Sequence, residues 1–176
     1  RIDKIIISPG SRNAPLSIHF SEIDTFQCYS IVDERSAGFV GLGIAKSIKK
    51  PVALTCTSGS AVANYYPAVV EAFYQNIPLL ILSADRPSDF VDLFDGQTIR
   101  QKNIFQQHSY GDFELLEDEK DGAEDFNFEI IKKAVEICIE KSGTIHINIH
   151  VKGPYYNLVD KFPVLPIVEK KKKKKA

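Results

Sequence analysis

Four short runs of this chain, residues 4–8, 27–32, 51–57 and 78–84, read as strands that are apolar along most of their length instead of alternating with polar residues, the first of them β-branched. Strands of that kind are buried on both faces and belong to a parallel sheet covered by helices on either side. The order of elements agrees. Residues 4–8 end at Pro9-Gly10 and lead to a helix-compatible stretch over 14–22, residues 27–32 feed a helix over 34–49, and residues 51–57 feed one over 60–75. The expected fold class is α/β, with three layers, α/β/α, around a mainly parallel sheet.

The second half is less regular. Residues 85–109 hold Pro87 and Gly96, lack strong periodicity, and form a connection long enough to be functional or mobile. Short elements are expected at Ile104-Phe105 and Leu115-Leu116, and the acidic segment 117–125 reads as an exposed loop. Ile130, Ile131, Ala134, Val135, Ile137 and Cys138 mark an amphipathic helix over 128–141, ended by Ser142-Gly143. A last strand covers 144–150, where His146 and His150 alternate with isoleucines as edge or packing residues. Beyond Pro154, further prolines and the lysine run at 170–175 read as a linker, so the expected domain is 1–151 and the linker 152–176. With Arg1 just ahead of a buried strand and no methionine anywhere, the chain is expected to begin inside a longer one.

A chain of 176 residues, 44% of them hydrophobic, can bury one full core. Its 22 Lys and Arg against 23 Asp and Glu leave a net charge of -1, which gives no reason to expect nucleic acid or an anionic membrane as partner. No apolar run approaches the roughly 18 to 20 residues of a membrane helix, and the N-terminus has no signal-peptide pattern. Cys28, Cys56 and Cys138 are odd in number, widely spaced and set in apolar runs, so they are expected to be reduced core residues of a cytosolic protein. The four histidines lack Glu or Cys partners at ligand spacing, and no metal site is expected in this chain.

Ligands of open parallel sheets bind beyond the C-terminal ends of the strands, so the chemistry is sought there. Glu34 stands where the second strand gives way to a helix. It reads either as the first-turn acid that a helix dipole favours or as a working carboxylate at the rim. Gly38, Gly41 and Gly43 then strip side chains from that helix at about 1 kcal/mol each, so something has to approach this face closely. Their spacing is not GxGxxG, which excludes a nicotinamide site. After the first strand, Gly10 permits a tight turn, Ser11 and Asn13 can cap the next helix, and Arg12 offers a two-pronged grip for a carboxylate. In the turn 55–60, Ser58 and Gly59 can present backbone N–H groups to a ligand, without the lysine of a P-loop. Arg86, in Asp85-Arg86-Pro87, and Gln97 add a second guanidinium and an amide near the same edge, with an ordinary Asp–Arg salt bridge as the competing reading.

Taken together, SPGSRNAPL (8–16), DERSAGFVGLGIAK (33–46), PVALTCTSGSAVANYYPAVVEA (51–72), IPLLILSADRP (77–87) and GQTIRQ (96–101) resemble one family. It is the thiamine-diphosphate-dependent 2-succinyl-5-enolpyruvyl-6-hydroxy-3-cyclohexene-1-carboxylate synthases of menaquinone biosynthesis, and the resemblance is to their N-terminal, pyrimidine-binding domain. It implies the thiamine-diphosphate-binding fold, decarboxylation of 2-oxoglutarate, and addition of the succinyl unit to isochorismate. Glu34 matches the glutamate that hydrogen-bonds the aminopyrimidine nitrogen and promotes loss of the thiazolium proton. Ser58 and Gly59 are then cofactor-facing, while Ser11, Arg12, Arg86 and Gln97 match positions on the substrate side. The glycine-rich helix face becomes packing room for the ring or for a partner domain, through which the fragment would self-associate. The family is expected to act as a homodimer or homotetramer with Mg2+, whose ligands and the diphosphate site follow a GDG-type motif that this chain does not reach. The fragment alone is therefore expected to be inactive. Two alternatives stay open. One is a non-catalytic binding or assembly module; the other is a domain of a different 2-oxo-acid decarboxylase or acetolactate-type synthase, not expected to share Ser11-Arg12 together with Asp85-Arg86-Pro87.

Overall fold

The computed structural model describes residues 2–117 and 120–153. The lysine run and all of the expected linker from Pro154 onward lie outside the described residues. The elements are β1 (Lys4–Ile7), α1 (Ala14–Glu22), β2 (Gln27–Ser30), α2 (Glu34–Ile48), β3 (Val52–Cys56), α3 (Ser60–Asn64), α4 (Tyr66–Gln75), β4 (Leu79–Asp85), β5 (Gly111–Glu114), α5 (Ala123–Lys141) and β6 (Ile145–His150), with 3-10 turns at Ser88–Phe90 and Gln106–His108. The strands form one sheet in the order β2-β1-β3-β4-β6-β5, and every pairing is parallel.

Period-two alternation sends neighbouring residues to opposite faces. Ile6, Leu54, Leu79 and Ile81 join α2, α3 and α4 in one core, while Ile5, Ile7, Ala53 and Leu80 join Ala134 and Cys138 of α5 in the other. Ile5, Ile6, Leu54, Leu79, Ile81, Ile145 and Ile147 are all at most 2% exposed. Each such side chain contributes on the order of 1.5–3 kcal/mol by leaving water. On the α1/α5 face an apolar groove of about 460 Å³ remains, lined by Leu16 and Phe20 of α1, Ile131 and Val135 of α5, and Phe26 and Leu115. Among the described residues no helix is long and apolar enough to cross a membrane.

Four local expectations are corrected. The helix expected over 60–75 is two helices, because Pro67 has no N–H to offer the Ala63 carbonyl; the Tyr65 N–H turns instead to Val62. The acidic segment is shorter as a loop than expected, since α5 already begins at Ala123 after a left-handed Gly122. The short element expected at Leu115-Leu116 lies earlier, as the strand β5. Finally, of the two readings of His146 and His150, edge or packing, the edge one falls because β6 lies between β4 and β5, while fully buried His146 is a packing residue.

The small residues of α2 are explained within the chain. A Cβ on Gly38 would come 2.9 Å from the Ala68 Cβ of α4, and one on Gly41 would come 3.2 Å from Leu54 of β3. At Gly38 and Gly41 it is α4 and β3 that approach the helix. Gly43 meets nothing within 4 Å. The three cysteines are free, with Cys56 and Cys138 buried and Cys28 half-buried, as expected.

Residues 86–110 contain no α-helix, yet they are packed in place of one. Ile99, Ile104 and fully buried Phe105 pack into the α2/α4 core, and Phe105 meets the His146 ring edge-on at 5.0 Å.

Candidate functional site

The chain runs from β1 outward to β2 and then crosses back to β3. That reversal makes the C-terminal ends of β1 and β3 the topological switch point, where open α/β folds bind ligands. Two rim loops meet there so closely that a Cβ on Gly10 would lie 2.5 Å from the Thr57 Cβ. Close approach, more than turn conformation, is what demands glycine at position 10.

Glu34 is the first residue of α2, whose N-cap is the neighbouring Asp33. The Asp33 carboxylate accepts the Ser36 N–H at 2.7 Å, which holds its pKa below the usual carboxylate value. Asp33 thus does the capping, and Glu34 is left half-buried with no hydrogen bond to any described residue. Its charge is felt inward. The Cys56 thiol at the end of β3 is pushed up first by burial and then by Glu34, and the Tyr65 phenol is raised by burial, by Cys56 and by Glu34. The Glu34 carboxylate itself stands at the start of α2, on the strand-to-helix junction after β2. Below it, the Tyr65 hydroxyl donates to the Thr55 carbonyl at 3.0 Å and pairs with the Ser8 hydroxyl at 3.0 Å, tying the helix break to the ends of β1 and β3.

Ser11 is exposed, and Arg12 is only 7% exposed, with its Nη1 donating to the Val151 carbonyl at 2.6 Å. Arg12 thus also ties the loop after β1 to the chain leaving β6. The expected side-chain cap of α1 is absent among the described residues: Asn13 turns its Nδ2 to the Ser8 carbonyl at 3.0 Å, and its buried Oδ1 has no partner there.

Ser58 is buried, and Gly59 has φ 84 and ψ -143, a region in which L side chains are strained. Its N–H is already taken by Gln101 Oε1 at 2.8 Å. This corrects the expectation of an open backbone donor at Gly59, and the five-residue α3 is too short to supply a helix terminus of any strength.

Arg86, just after β4, does not turn its guanidinium to Asp85. Its Nη2 reaches Asp95 Oδ2 at 3.1 Å and the Gly96 carbonyl at 2.7 Å, while its buried Nε lacks a partner among the described residues. Gln97 is exposed with φ 57, and its backbone lies over Gly59, where an added Cβ would come 3.0 Å from the Gln97 oxygen. The structure thus brings Gln97 to the Ser58–Gly59 turn, and Arg86 holds the loop just before it.

A buried polar network went unread in the sequence. Gln101 Nε2 reaches Asn148 Oδ1 at 2.9 Å and the Ala84 carbonyl at 3.2 Å. Asn148 Nδ2 donates to Asp85 Oδ2 at 2.8 Å, and Asp85 Oδ1 accepts the Arg86 N–H at 2.8 Å. Ser83 Oγ joins Asn148 at 3.0 Å and His146 Nε2 at 2.7 Å, and His146 Nδ1 meets Asp112 Oδ1 at 3.0 Å. Burial raises the Asp85 pKa, partly offset by the hydrogen bonds from Asn148 and Arg86. A cavity of about 360 Å³ beside the network is lined by Asp85, Gln101, Glu114, His150, Arg100 and Lys102, among others. The sequence signal was present but weak: polar residues alternating with isoleucine in 144–150 mark a face that needs partners. Among the described residues no cluster of three or more His, Cys, Asp or Glu could hold a metal ion.

The half-buried Glu34 stands on the crossover that makes the first reversal of a parallel α/β/α sheet, the place where domains of this class take ligands. The chain belongs to the family described as thiamine pyrophosphate enzyme, N-terminal TPP binding domain, whose model matches residues 1–113. It is 52% identical over 160 residues to a 2-succinyl-5-enolpyruvyl-6-hydroxy-3-cyclohexene-1-carboxylate synthase of Flavobacterium psychrophilum, covering 91% of this chain and 28% of the relative. The protein of the same name from Flavobacterium johnsoniae is 53% identical over 165 residues, covering 94% of this chain and 29% of that one. The chain thus spans under a third of the length of these curated relatives. The crystal structure of benzoylformate decarboxylase from Polynucleobacter necessarius shares the fold, with a TM-score of 0.70 at 18% identity over 96% of this chain and 30% of that one.

Proposed function

We propose that this chain is the N-terminal, pyrimidine-binding part of a thiamine-diphosphate-dependent synthase that decarboxylates 2-oxoglutarate and adds the succinyl unit to isochorismate in menaquinone biosynthesis. The supporting likeness is to synthases of that name, and the observation that carries the reading to particular atoms is Glu34. A half-buried carboxylate at the start of α2, with no hydrogen-bond donor from the described residues, suits an aminopyrimidine ring. When bound, thiamine diphosphate supplies the electron sink for the carbon left by decarboxylation. Glu34 would supply the proton that the ring nitrogen takes up and then accept the resulting N–H hydrogen bond, which would ease proton loss from the neighbouring amino group. Ser58 and Gly59 would face the cofactor. Ser11, Arg12, Arg86 and Gln97 form the substrate side, where two guanidinium groups suit substrates that carry two carboxylates each.

Residues 1–151 make up the domain in this reading, and 152–176 lead toward a central domain. Mg2+ and the diphosphate are held by residues outside this chain. The full protein works in the cytosol as a homodimer or homotetramer, and the fragment alone is inactive. The test is an assay of the full-length protein with thiamine diphosphate, Mg2+, 2-oxoglutarate and isochorismate, following carbon dioxide release and the adduct by mass. Formation of the succinylated adduct is expected. Turnover of a different 2-oxo acid instead, or a folded protein that binds the cofactor and turns over neither substrate, overturns the reading.

A further inference from the structure

The structure assigns to Gln101 the role of a positioning residue that fixes the Ser58–Gly59 turn and the Arg86 turn relative to each other. The inference rests on the reading of those turns as cofactor-facing and substrate-facing. Gln101 is 1% exposed although it lies in a connection without regular secondary structure. Burying an amide there is costly unless every polar atom is satisfied, and here it is.

Backbone groups fix which way the amide points. The Gly59 N–H can only donate, so the oxygen 2.8 Å away is Oε1; the Ala84 carbonyl can only accept, so the group 3.2 Å away is Nε2. From Nε2 the chain of bonds runs through Asn148 to Asp85, whose other oxygen holds the Arg86 N–H. One side chain therefore links the turn after β3 to the turn after β4. It also pins the loop that carries Gln97, four residues earlier, onto Gly59. An apolar side chain of similar length would fill the space but orient neither turn.

The test uses the full-length protein with Gln101→Met, which keeps length without hydrogen bonds, and Gln101→Glu, which keeps the acceptor for Gly59 and loses the donors to Ala84 and Asn148. Hydrogen exchange at Gly59 is read without ligand, thiamine diphosphate affinity with Mg2+ by calorimetry, and kcat and KM separately. Gln101→Met is expected to speed Gly59 exchange and weaken cofactor affinity, each by about tenfold or more. Gln101→Glu is expected to keep Gly59 protected while raising KM for the 2-oxo acid by about fivefold or more, a split that general loss of folding does not produce. Unchanged exchange, affinity and KM in a folded Gln101→Met protein overturn the assignment. So does a wild-type Gly59 amide that exchanges as if unprotected, a result that needs no variant to fold. A protected Gly59 in a wild-type protein that binds no thiamine diphosphate overturns instead the cofactor-facing reading of the turn.

Discussion

Arg12 Nη1 donates to the Val151 carbonyl at 2.6 Å, joining the loop after the first strand to the chain that leaves the last one, 139 residues away. The bond is charge-assisted, and the side chain is nearly buried. Arg12→Ala is expected to lower stability by about 2 kcal/mol, measured by urea denaturation, through the lost packing and an orphaned carbonyl. In the full-length synthase it should also raise KM for isochorismate; an unchanged KM would confine Arg12 to this structural tie.

Glu34→Gln separates chemistry from folding. The carboxylate makes no hydrogen bond to a described residue, so its contribution to stability is limited to the helix dipole, about 0.5 kcal/mol. Turnover of the full-length protein is expected to fall by about 100-fold or more while thermal unfolding barely moves. A variant that retains most of its activity removes Glu34 from the mechanism.

Asp85 gives a pH signature. Its folded pKa is raised, first by burial, above the ordinary value of 3.8, so between the two values the folded state holds the proton more tightly than the unfolded state. Its contribution to stability is greatest at acid pH and declines as pH rises from the unfolded value through the raised folded one. Asp85→Asn removes that slope. It also sets an amide N–H against either Asn148 or the Arg86 N–H, costing about 1–3 kcal/mol at neutral pH. Denaturation midpoints of both proteins between pH 3 and 7 check the sign; a difference that does not change with pH refutes it.

Two glycines should respond oppositely to alanine. Gly43 sits inside α2 with open space around it, so Gly43→Ala is expected to stabilise by about 0.5–1 kcal/mol. Gly59 combines φ 84 with the Gln97 backbone at 3.0 Å, so Gly59→Ala is expected to cost about 2 kcal/mol or more. Thermal denaturation of the pair decides; equal shifts would mean that the turn after β3 relaxes freely.

The parallel α/β/α architecture was legible because its cause is local. Runs such as 51–57 and 78–84 are apolar on both sides of the pleat, and only a sheet covered on both faces can bury them. The position of Glu34 at a strand-to-helix junction was legible for the same reason. The break at Tyr65 was also within reach, since Pro67 alone causes it. The glycines of α2 told correctly of a close approach but not by what, because Ala68 and Leu54 reach them only after the strands are ordered.

Neighbours along the chain thus determined most of the elements, their alternation of strand and helix, and the rim on which the candidate residues stand. Tertiary structure alone decided that Gly59 is bonded to Gln101, 42 residues on, that Arg86 turns to Asp95 and not to Asp85, and that Ser83, Asp85, His146 and Asn148 form one network. Those contacts depend on β6 inserting between β4 and β5 and on its register, Ser83 opposite Asn148 and Asp112 opposite His146. A shift of one residue would turn every polar side chain of β6 into the apolar core beneath α5, and that cost is summed over the whole sheet, not written in any one segment.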